Sequence, residues 1–122
     1  NTVINKGSII DNRNMISIGS NVSIAHNVKI YTCGHDINSP YFDMLCKPVI
    51  IEDYVCIFAN VIILPGITIK KGAVLYPGSV ITKDVSEYSV VGGNPASFIK
   101  NRDKDTRRND NVTNKAPDPK PY

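Results

Sequence analysis

The sequence predicts an all-β fold, a parallel β-helix assembled from six-residue repeats. The first observation is that large aliphatic residues recur every six positions, and a second, generally smaller residue follows most of them after four positions. The larger set is Ile18, Ile24, Ile30, Ile51, Ile57, Ile63, Ile69, Leu75 and Ile81. The smaller set is Val22, Val28, Val55, Val61, Ile67, Ala73, Ser79 and Val85. Each repeat therefore holds a short strand whose side chains alternate between inside and outside.

The second observation is that the turn residues keep the same period. The corner position is occupied by Asn21, Asn27, Asn60, Gly66, Gly72, Gly78 and Asp84, and only Tyr54 interrupts the series. Gly, Asn and Asp tolerate a positive φ, so the pattern predicts a left-handed corner in each repeat. A helix would space its apolar residues by 3.6 positions. Three hexapeptides instead form one complete coil, which buries its apolar side chains against the coils above and below.

The repeat is irregular at its start and broken once. Residues 1–17 are predicted to form an irregular first coil, because Lys6 and Asn12 occupy positions that are aliphatic in later coils. The β-helix is expected over residues 18–92. Its aliphatic positions after residue 48 are out of phase with those before residue 32 by half a hexapeptide, so residues 32–48 are predicted to leave the coil as a loop. Function is expected on such an excursion from a rigid scaffold.

The repeat stops after Val91, where a run of Gly, Asn and Pro begins. Because proline is favoured in the first turn of a helix, Pro95 indicates a short C-terminal helix over residues 93–101. Residues 102–122 are charged and contain almost nothing to bury. We expect them to form a mobile tail.

Composition excludes several classes of protein. The chain has 122 residues and a formal net charge of +3, and the basic excess lies in the residues from Lys100 onward. The folded part is therefore neutral and lacks the basic stripe of a nucleic-acid-binding protein. No apolar run approaches the roughly 18–20 residues that a membrane span needs, and no signal peptide is visible. Because the first residue is Asn rather than Met, a preceding segment could have been lost.

The cysteines and histidines are few. Cys33, Cys46 and Cys56 are odd in number and form no CxxC pair, which argues against a disulfide scaffold and a thiolate zinc site. The simplest interpretation is a reduced, cytoplasmic protein. A γ-class carbonic anhydrase needs three zinc histidines, and His26 and His35 cannot supply that set, so we expect no metal.

The outward positions of the later coils indicate self-association. Residues separated by three hexapeptides share a face of the coil. One face carries Thr68 and Ser86, a second Cys56 and Val74, and a third Ile62 and Val80. Two of the three faces are thus apolar, and exposed apolar faces on a rigid rod imply partner chains. A three-fold assembly is the most natural one for a three-sided prism.

Several segments together resemble the left-handed β-helix O-acetyltransferases of the maltose, galactoside and capsular-polysaccharide type. They are the hexapeptide ladder, the loop that holds His35, Lys47–Ile51, Pro65–Ile69, Gly78–Val85 and Val91–Ala96. The ladder alone also occurs in other transferases and in γ-class carbonic anhydrases. The specificity of the resemblance comes from the His35 loop, Thr82-Lys83-Asp84 and Gly93-Asn94-Pro95-Ala96, and it covers most of the chain.

The resemblance implies a homotrimer with an active site between each pair of subunits, in which His35 matches the catalytic histidine. A neutral imidazole is suited to remove the proton of a hydroxyl that attacks the thioester of acetyl-CoA. The backbone N–H of Ala59 matches the position that stabilises the oxyanion. His35 could otherwise be a loop residue that only hydrogen-bonds nearby backbone, and His26 is interpreted as an outward-pointing corner residue.

The resemblance also implies a donor site and an acceptor site. The residues carried over for acetyl-CoA are Ala59, Pro77, Thr82, Lys83 and Lys100. Those carried over for a sugar or polysaccharide-precursor acceptor are Asp11 and Asn12, with Asn38 as a further candidate. The lysines suit the phosphate charge of coenzyme A, although each could be a solvated surface charge. Cys56, Phe58, Tyr76 and Pro77 depart from the family pattern and could narrow the coenzyme channel.

Two functions of different classes therefore stand side by side. The first is an acetyl-CoA-dependent O-acetyltransferase of polysaccharide biosynthesis, and it is supported by His35, Thr82, Lys83 and Lys100. The second is a non-catalytic trimeric β-helix that serves as a scaffold or interaction module, and it is supported by the altered residues of the coenzyme groove. An N-acetyltransferase is a variant of the first, because an amine nucleophile also needs only one base.

Overall fold

The computed structural model describes residues 1–103 and contains fifteen short β-strands. The strands are β1 (Val3–Ile4), β2 (Ile9–Ile10), β3 (Ile16–Ile18), β4 (Ser23–Ile24), β5 (Lys29–Ile30), β6 (Cys33–His35), β7 (Met44–Cys46), β8 (Val49–Ile51), β9 (Cys56–Ile57), β10 (Ile62–Ile63), β11 (Thr68–Ile69), β12 (Val74–Leu75), β13 (Val80–Ile81), β14 (Ser89–Gly93) and β15 (Ala96–Asn101). Residues 1–103 form no helix, and this part of the chain therefore contains no candidate for a membrane-spanning helix.

The strands stack into three sheets that form the faces of a prism. The first face has the strand order β1-β4-β9-β12-β14-β15, the second β13-β10-β5-β2, and the third β11-β8-β3. Successive coils pair in parallel, and among β8 to β13 the partners in successive coils are three hexapeptides apart, as Cys56 and Val74 are. The predicted three-sided parallel coil of three hexapeptides is confirmed.

The core is the predicted ladder. Ile24, Ile30, Ile51, Ile57, Ile63, Ile69, Leu75 and Ile81 are the largest fully buried side chains, and the smaller residues from Val22 to Val85 are buried beside them. Ser79 is a polar member of the ladder, and its hydroxyl donates to the Tyr76 carbonyl at 2.7 Å. This bond satisfies the one polar group that the serine brings into the core.

The corners follow the predicted backbone in most repeats. Positive φ values occur at Asn21, Asn27, Asn60, Gly66, Gly72 and Gly78. Tyr54, which interrupts the residue pattern, adopts a φ of 61° like its asparagine counterparts. Asp84 is the exception, since its φ is not positive. The coil around it is shorter, because Ile69 bridges to Val85, which comes before three full hexapeptides are completed.

The first coil pairs with the second through all three of its strands. Val3 pairs with Ser23 and Ile9 with Lys29, so that each pair is separated by slightly more than three hexapeptides. The first coil is irregular because its residues are separated from their partners by more than the three hexapeptides of a regular coil. Its apolar side chains, Ile10 among them, stay partly exposed because no further coil stacks below them in the described chain.

A β-hairpin leaves the prism between β5 and β8. Its strands β6 and β7 are antiparallel, with Cys33 opposite Cys46 and His35 opposite Met44. Ser23 nevertheless pairs in parallel with Cys56, although the whole hairpin lies between them in the chain. The hairpin residues therefore project outward without disturbing the stack.

The predicted C-terminal helix over residues 93–101 is wrong. The Asn94–Pro95 peptide is cis, the chain reverses there, and β15 pairs antiparallel with β14. The physical reason is that β14 ends the first face and presents unpaired backbone groups, which a returning strand satisfies. A segment this short also does not form a helix without tertiary support.

The expectation that the cysteines are reduced is wrong for two of them. Cys33 and Cys46 form a disulfide that joins β6 to β7, whereas Cys56 lies on the first face outside this bond. The odd cysteine count concealed the pair, because the hairpin register that brings the two residues together is not visible in their spacing.

The start of the expected mobile tail is held by the β-helix. The Arg102 guanidinium donates to the carbonyls of Tyr54 and Gly72 at 2.9 and 3.1 Å, and its backbone N–H donates to the Tyr88 carbonyl at 2.6 Å. Residues 104–122, which make up the rest of the predicted tail, lie outside the described residues.

Candidate functional site

Two edges of the prism hold the predicted site residues. We call the edge between the second and third faces the hairpin edge; it consists of residues 11–15, 31–48, 64–67 and 82–84. We call the edge between the first and second faces the aromatic edge; it consists of residues 5–8, 25–28, 58–61 and 76–79. Equivalent corners of successive coils lie above one another along each edge, because the coils stack in register.

His35 is the last residue of β6 and is exposed on the hairpin edge. Its imidazole stacks on the Phe42 ring, with ring centroids 4.4 Å apart and planes 8° from parallel. The following turn is closed by a 2.8 Å bond from the Asp36 N–H to the Asp43 carbonyl. The histidine thus reaches solvent on a short antiparallel hairpin whose far end is hydrogen-bonded.

The base of the hairpin is fixed to the first coil by Asp11. One carboxylate oxygen of Asp11 accepts the backbone N–H groups of Thr32 and Cys33 at 3.0 and 3.3 Å. The Arg13 guanidinium donates to both oxygens at 2.8 and 2.9 Å. The buried Thr32 hydroxyl in turn donates to the Asp11 carbonyl and accepts the Asn14 N–H, both at 3.0 Å. The disulfide lies directly after this network.

The Asp11 carboxylate is held in its charged form. The side-chain hydrogen bond from Arg13 lowers the pKa of Asp11 well below its usual range, and the Thr32 N–H adds to the effect, while partial burial opposes it. A charged acceptor binds N–H donors more strongly than a neutral one. Asp11 therefore acts on the hairpin as an anchor, and its two oxygens are occupied from within the chain.

Ala59 lies on the aromatic edge at a corner position where the next coil carries Pro77. Proline has no N–H, so the stacked corners do not require one at this position. Ala59 accepts the Gly78 N–H through its carbonyl at 2.9 Å, and no acceptor for its own N–H lies within residues 1–103. A backbone donor is therefore available on this edge for a negatively charged oxygen.

Three of the four residues that depart from the pattern of the resembled family, Phe58, Tyr76 and Pro77, lie on the same edge as that donor. The rings of Phe58 and Tyr76 are half-buried and tilted against each other, with centroids 6.2 Å apart. Pro77 follows and is exposed. The large side chains thus pack together along the aromatic edge, where each reduces the exposure of the other.

A surface cleft of about 500 Å³ lies at the C-terminal end of the prism. Thr82 and Lys83 line it from the hairpin edge, and Ser97, Phe98 and Asn101 line it from β15. Lys100 is exposed on β15 but does not line the cleft.

One chain brings only part of the predicted site together. Asp11, Asn12, His35, Asn38, Thr82 and Lys83 lie on the hairpin edge, whereas Ala59 and Pro77 lie on the aromatic edge. The second face separates His35 from Ala59. Asn12 and Asn38 are exposed, and the Asn38 N–H donates to the Asp36 carboxylate at 2.9 Å.

Sequence reasoning missed the contributions of Thr32, Phe42 and the disulfide. Phe42 has a positive φ of 52°, which no turn residue signals in the sequence. The other histidine, His26, is exposed at a corner of the aromatic edge. No group of three His, Cys, Asp or Glu side chains in the described chain could hold a metal ion.

The comparisons with known proteins agree with the fold. Residues 48–83 match the model of the family described as bacterial transferase hexapeptide (six repeats). A Saccharomyces cerevisiae protein provisionally named an acetyltransferase is 38% identical over 109 residues, which are 87% of this chain and 54% of the relative. The chain therefore spans about half the length of the curated relatives it matches.

Two solved structures share the fold over most of the chain. A maltose O-acetyltransferase from Clostridium difficile is 40% identical with a TM-score of 0.80, covering 85% of this chain and 57% of that chain. A Vibrio cholerae hexapeptide-repeat acetyltransferase, crystallised with acetyl-CoA, is 33% identical with a TM-score of 0.79, covering 84% and 57%. The left-handed sense of the predicted β-helix is confirmed by these neighbours.

Proposed function

We propose that this chain, a member of the hexapeptide-repeat transferases, is an acetyl-CoA-dependent O-acetyltransferase that acts on a hydroxyl of a sugar or polysaccharide precursor. The observation that carries the proposal is the exposed imidazole of His35 on an anchored hairpin. Its support from relatives is the acetyl-CoA complex of the Vibrio cholerae enzyme and the maltose O-acetyltransferase of Clostridium difficile.

The reaction requires one base and one oxyanion donor. The acceptor hydroxyl oxygen attacks the thioester carbonyl carbon, and the His35 imidazole takes the hydroxyl proton. The carbonyl oxygen becomes negatively charged and accepts the Ala59 N–H. When the intermediate collapses, the carbon–sulfur bond breaks and the imidazolium returns the proton to the coenzyme sulfur. The products are the acetyl ester and free coenzyme A.

The donor would lie along groups that suit its charge. Coenzyme A carries phosphates, and the exposed ammonium groups of Lys83 and Lys100 at the C-terminal end of the prism attract them. Thr82 supplies a hydroxyl next to Lys83, and Pro77 lines the aromatic edge beside Ala59. On the acceptor side, Asn12 and Asn38 are exposed near the hairpin, while Asp11 contributes by holding the hairpin in place.

A homotrimer completes the site. His35 and Ala59 lie on different edges of one prism, so a site that uses both needs the hairpin edge of one chain beside the aromatic edge of another. The outward side chains of Ile62 and Val80 on the second face, which separates these edges, are apolar and partly exposed. Their burial between chains would stabilise such an assembly.

We place the reaction in the cytoplasm, because acetyl-CoA is a cytoplasmic metabolite. We place it in the biosynthesis of polysaccharides, because the proposed acceptor is a sugar or polysaccharide precursor. Cytoplasmic thiols are normally kept reduced. In this location the Cys33–Cys46 disulfide would meet reducing conditions.

The test is transfer to sugar acceptors by the wild type and two histidine variants. We expect His35→Ala to lower kcat by about 10²- to 10⁴-fold, the usual contribution of a general base, with little change in acetyl-CoA affinity. His26→Ala is the control for removing an exposed histidine, since His26 is also exposed and takes no part in the proposed proton transfer, and it should keep the wild-type rate. A His35→Ala enzyme with near-normal turnover would refute the mechanism.

A non-catalytic scaffold is the second candidate, and the packing of Phe58 against Tyr76 on the aromatic edge favours it. Calorimetric titration with acetyl-CoA distinguishes the two. Micromolar binding at one site per chain supports the transferase. An absence of binding up to millimolar concentration supports the scaffold, because the donor edge would then be closed.

A further inference from the structure

Two solvent-exposed rings cover each other on the hairpin. The His35 imidazole and the Phe42 phenyl ring lie 4.4 Å apart and nearly parallel, although both residues are exposed and Phe42 retains 56% of its surface. Phe42 lies outside the hydrophobic core of the β-helix. Burial in the core therefore does not account for an aromatic residue at this position, and its contact with His35 does.

The backbone at Phe42 is held in a conformation that suits this contact. Its φ of 52° is in the left-handed region, which a bulky residue rarely adopts. The Phe42 N–H donates to the Ser39 carbonyl at 3.1 Å, and the Ser39 hydroxyl donates to the Asp43 carboxylate at 2.7 Å. The same hydroxyl accepts the Tyr41 N–H at 3.2 Å. This network fixes the turn that presents the phenyl ring to the imidazole.

We infer that Phe42 is a positioning residue for His35, an inference that rests on the proposed function. The stack removes rotation of the imidazole and covers one of its faces, so that the ring nitrogens at the edge remain accessible to the acceptor hydroxyl. A base held in its productive orientation does not have to be ordered during the reaction. The role needs a flat ring at position 42 and not merely an apolar side chain.

The experiment compares Phe42→Leu with Phe42→Tyr. Leucine keeps apolar bulk but cannot form a parallel stack, and we expect kcat to fall about tenfold or more while KM for acetyl-CoA stays within about twofold. Tyrosine keeps the ring and should retain the wild-type kcat. Tyr41→Leu is the matched control, because Tyr41 is the adjacent aromatic residue and is 85% exposed; it should not change kcat.

A second readout requires no activity. In proton NMR the Phe42 ring current should shift the His35 imidazole protons upfield in the wild type and in Phe42→Tyr, and this shift should disappear in Phe42→Leu. Wild-type kcat in Phe42→Leu together with loss of the shift would overturn the inference. Absence of the shift in the wild type would overturn it as well. Failure of the proposed function is distinguishable, since it would appear as normal turnover in His35→Ala.

If Phe42→Leu does not fold, the inference is tested by Phe42→Tyr and Phe42→Trp. Both retain a flat ring, so we expect the upfield shift of the His35 protons and near-wild-type kcat in both. Loss of kcat in folded Phe42→Tyr that keeps the shift would contradict a positioning role, because the stack would then be present without its effect.

Discussion

A single carboxylate, that of Asp11, determines how the hairpin leaves the coil. It accepts two backbone N–H groups at the point of departure and an arginine fork from its own turn. These donors would otherwise be unpaired at the junction between a regular stack and an irregular segment, where unpaired backbone groups are costly. The position of His35 depends on this residue even though the two side chains are not in contact.

We predict that Asp11→Asn destabilises the protein at neutral pH and that the difference disappears in acid. The folded pKa of Asp11 is lowered, so its stabilisation is fully present above the unfolded pKa, about 4. It is lost as the pH falls through the lower folded pKa. Urea unfolding midpoints of the wild type and the variant should therefore differ most near pH 7 and converge below about pH 4.

The control for this pH dependence is Asp36→Asn, because Asp36 lies in the same hairpin and accepts only one backbone N–H from Asn38 among its side-chain bonds. Its effect on the urea midpoint should be smaller. A constant difference between wild type and Asp11→Asn from pH 7 to pH 2 would show that the charge of Asp11 does not stabilise the fold.

At this scale the sequence predicts positions better than contacts. The corner asparagines and glycines were predictable from their period, and their φ values agree. The role of Asp11 was not predictable, because its partners Thr32 and Cys33 belong to the next coil and the spacing between these two coils is irregular. The Phe42 stack depends on a left-handed residue that no glycine or asparagine marks.

The hairpin carries His35, the proposed base, and it is the element that the hydrophobic core supports least. Its strands pair only with each other. Several of its apolar side chains, including Ile37 and Met44, are exposed. Its order therefore depends on Asp11, on the hydrogen bonds of its turn and on the Cys33–Cys46 disulfide.

We predict that the double variant Cys33→Ser, Cys46→Ser loosens the hairpin and leaves the β-helix intact. A disulfide that closes a loop of this size stabilises by about 3 kcal/mol in the chain-entropy description. Amide exchange should accelerate between residues 33 and 46 and stay slow in β9 to β12. Wild type treated with dithiothreitol should behave like the variant, while Cys56→Ser should behave like untreated wild type. Unchanged hairpin exchange in the double variant would contradict this prediction.

The elements that sequence reasoning missed are those decided by long-range pairing. Pro95 and the short run after it are compatible with a helical turn, but β14 offers an edge whose backbone groups can be satisfied by residues 96–101. The outcome depends on that edge and not on the local sequence. The excursion of residues 32–48 was visible as a phase shift, whereas the two strands inside it are short and irregular in pattern.

At the scale of the whole molecule, stability comes from columns of equivalent residues. On the second face Ile10, Ile30, Ile63 and Ile81 occupy equivalent positions in successive coils. Ile30, Ile63 and Ile81 are almost fully buried, while Ile10 at the end of the column is 36% exposed. Each interior residue is covered from above and below, which is how a solenoid builds a core without distant contacts.

We predict that Ile63→Ala lowers the free energy of unfolding by about 2–5 kcal/mol, the usual range for removing a buried isoleucine side chain. Ile10→Ala is the matched control, with the same substitution at the same position of the repeat. Its effect should be clearly smaller, because less area is buried and water can fill the space. Equal losses in chemical denaturation would contradict a core built from stacked columns.

The hairpin is an insertion in the second coil, and this has a consequence for how such a chain can diversify. Since the strands on either side of the hairpin stay in register with their neighbours, the length and content of the hairpin are not constrained by the stack. If the hairpin carries the proposed site, its replacement is expected to alter which molecules are recognised while the scaffold keeps its geometry. The ladder must conserve its spacing, whereas on the proposed function a change in the hairpin alone would give a new acceptor preference through recombination of a single short segment.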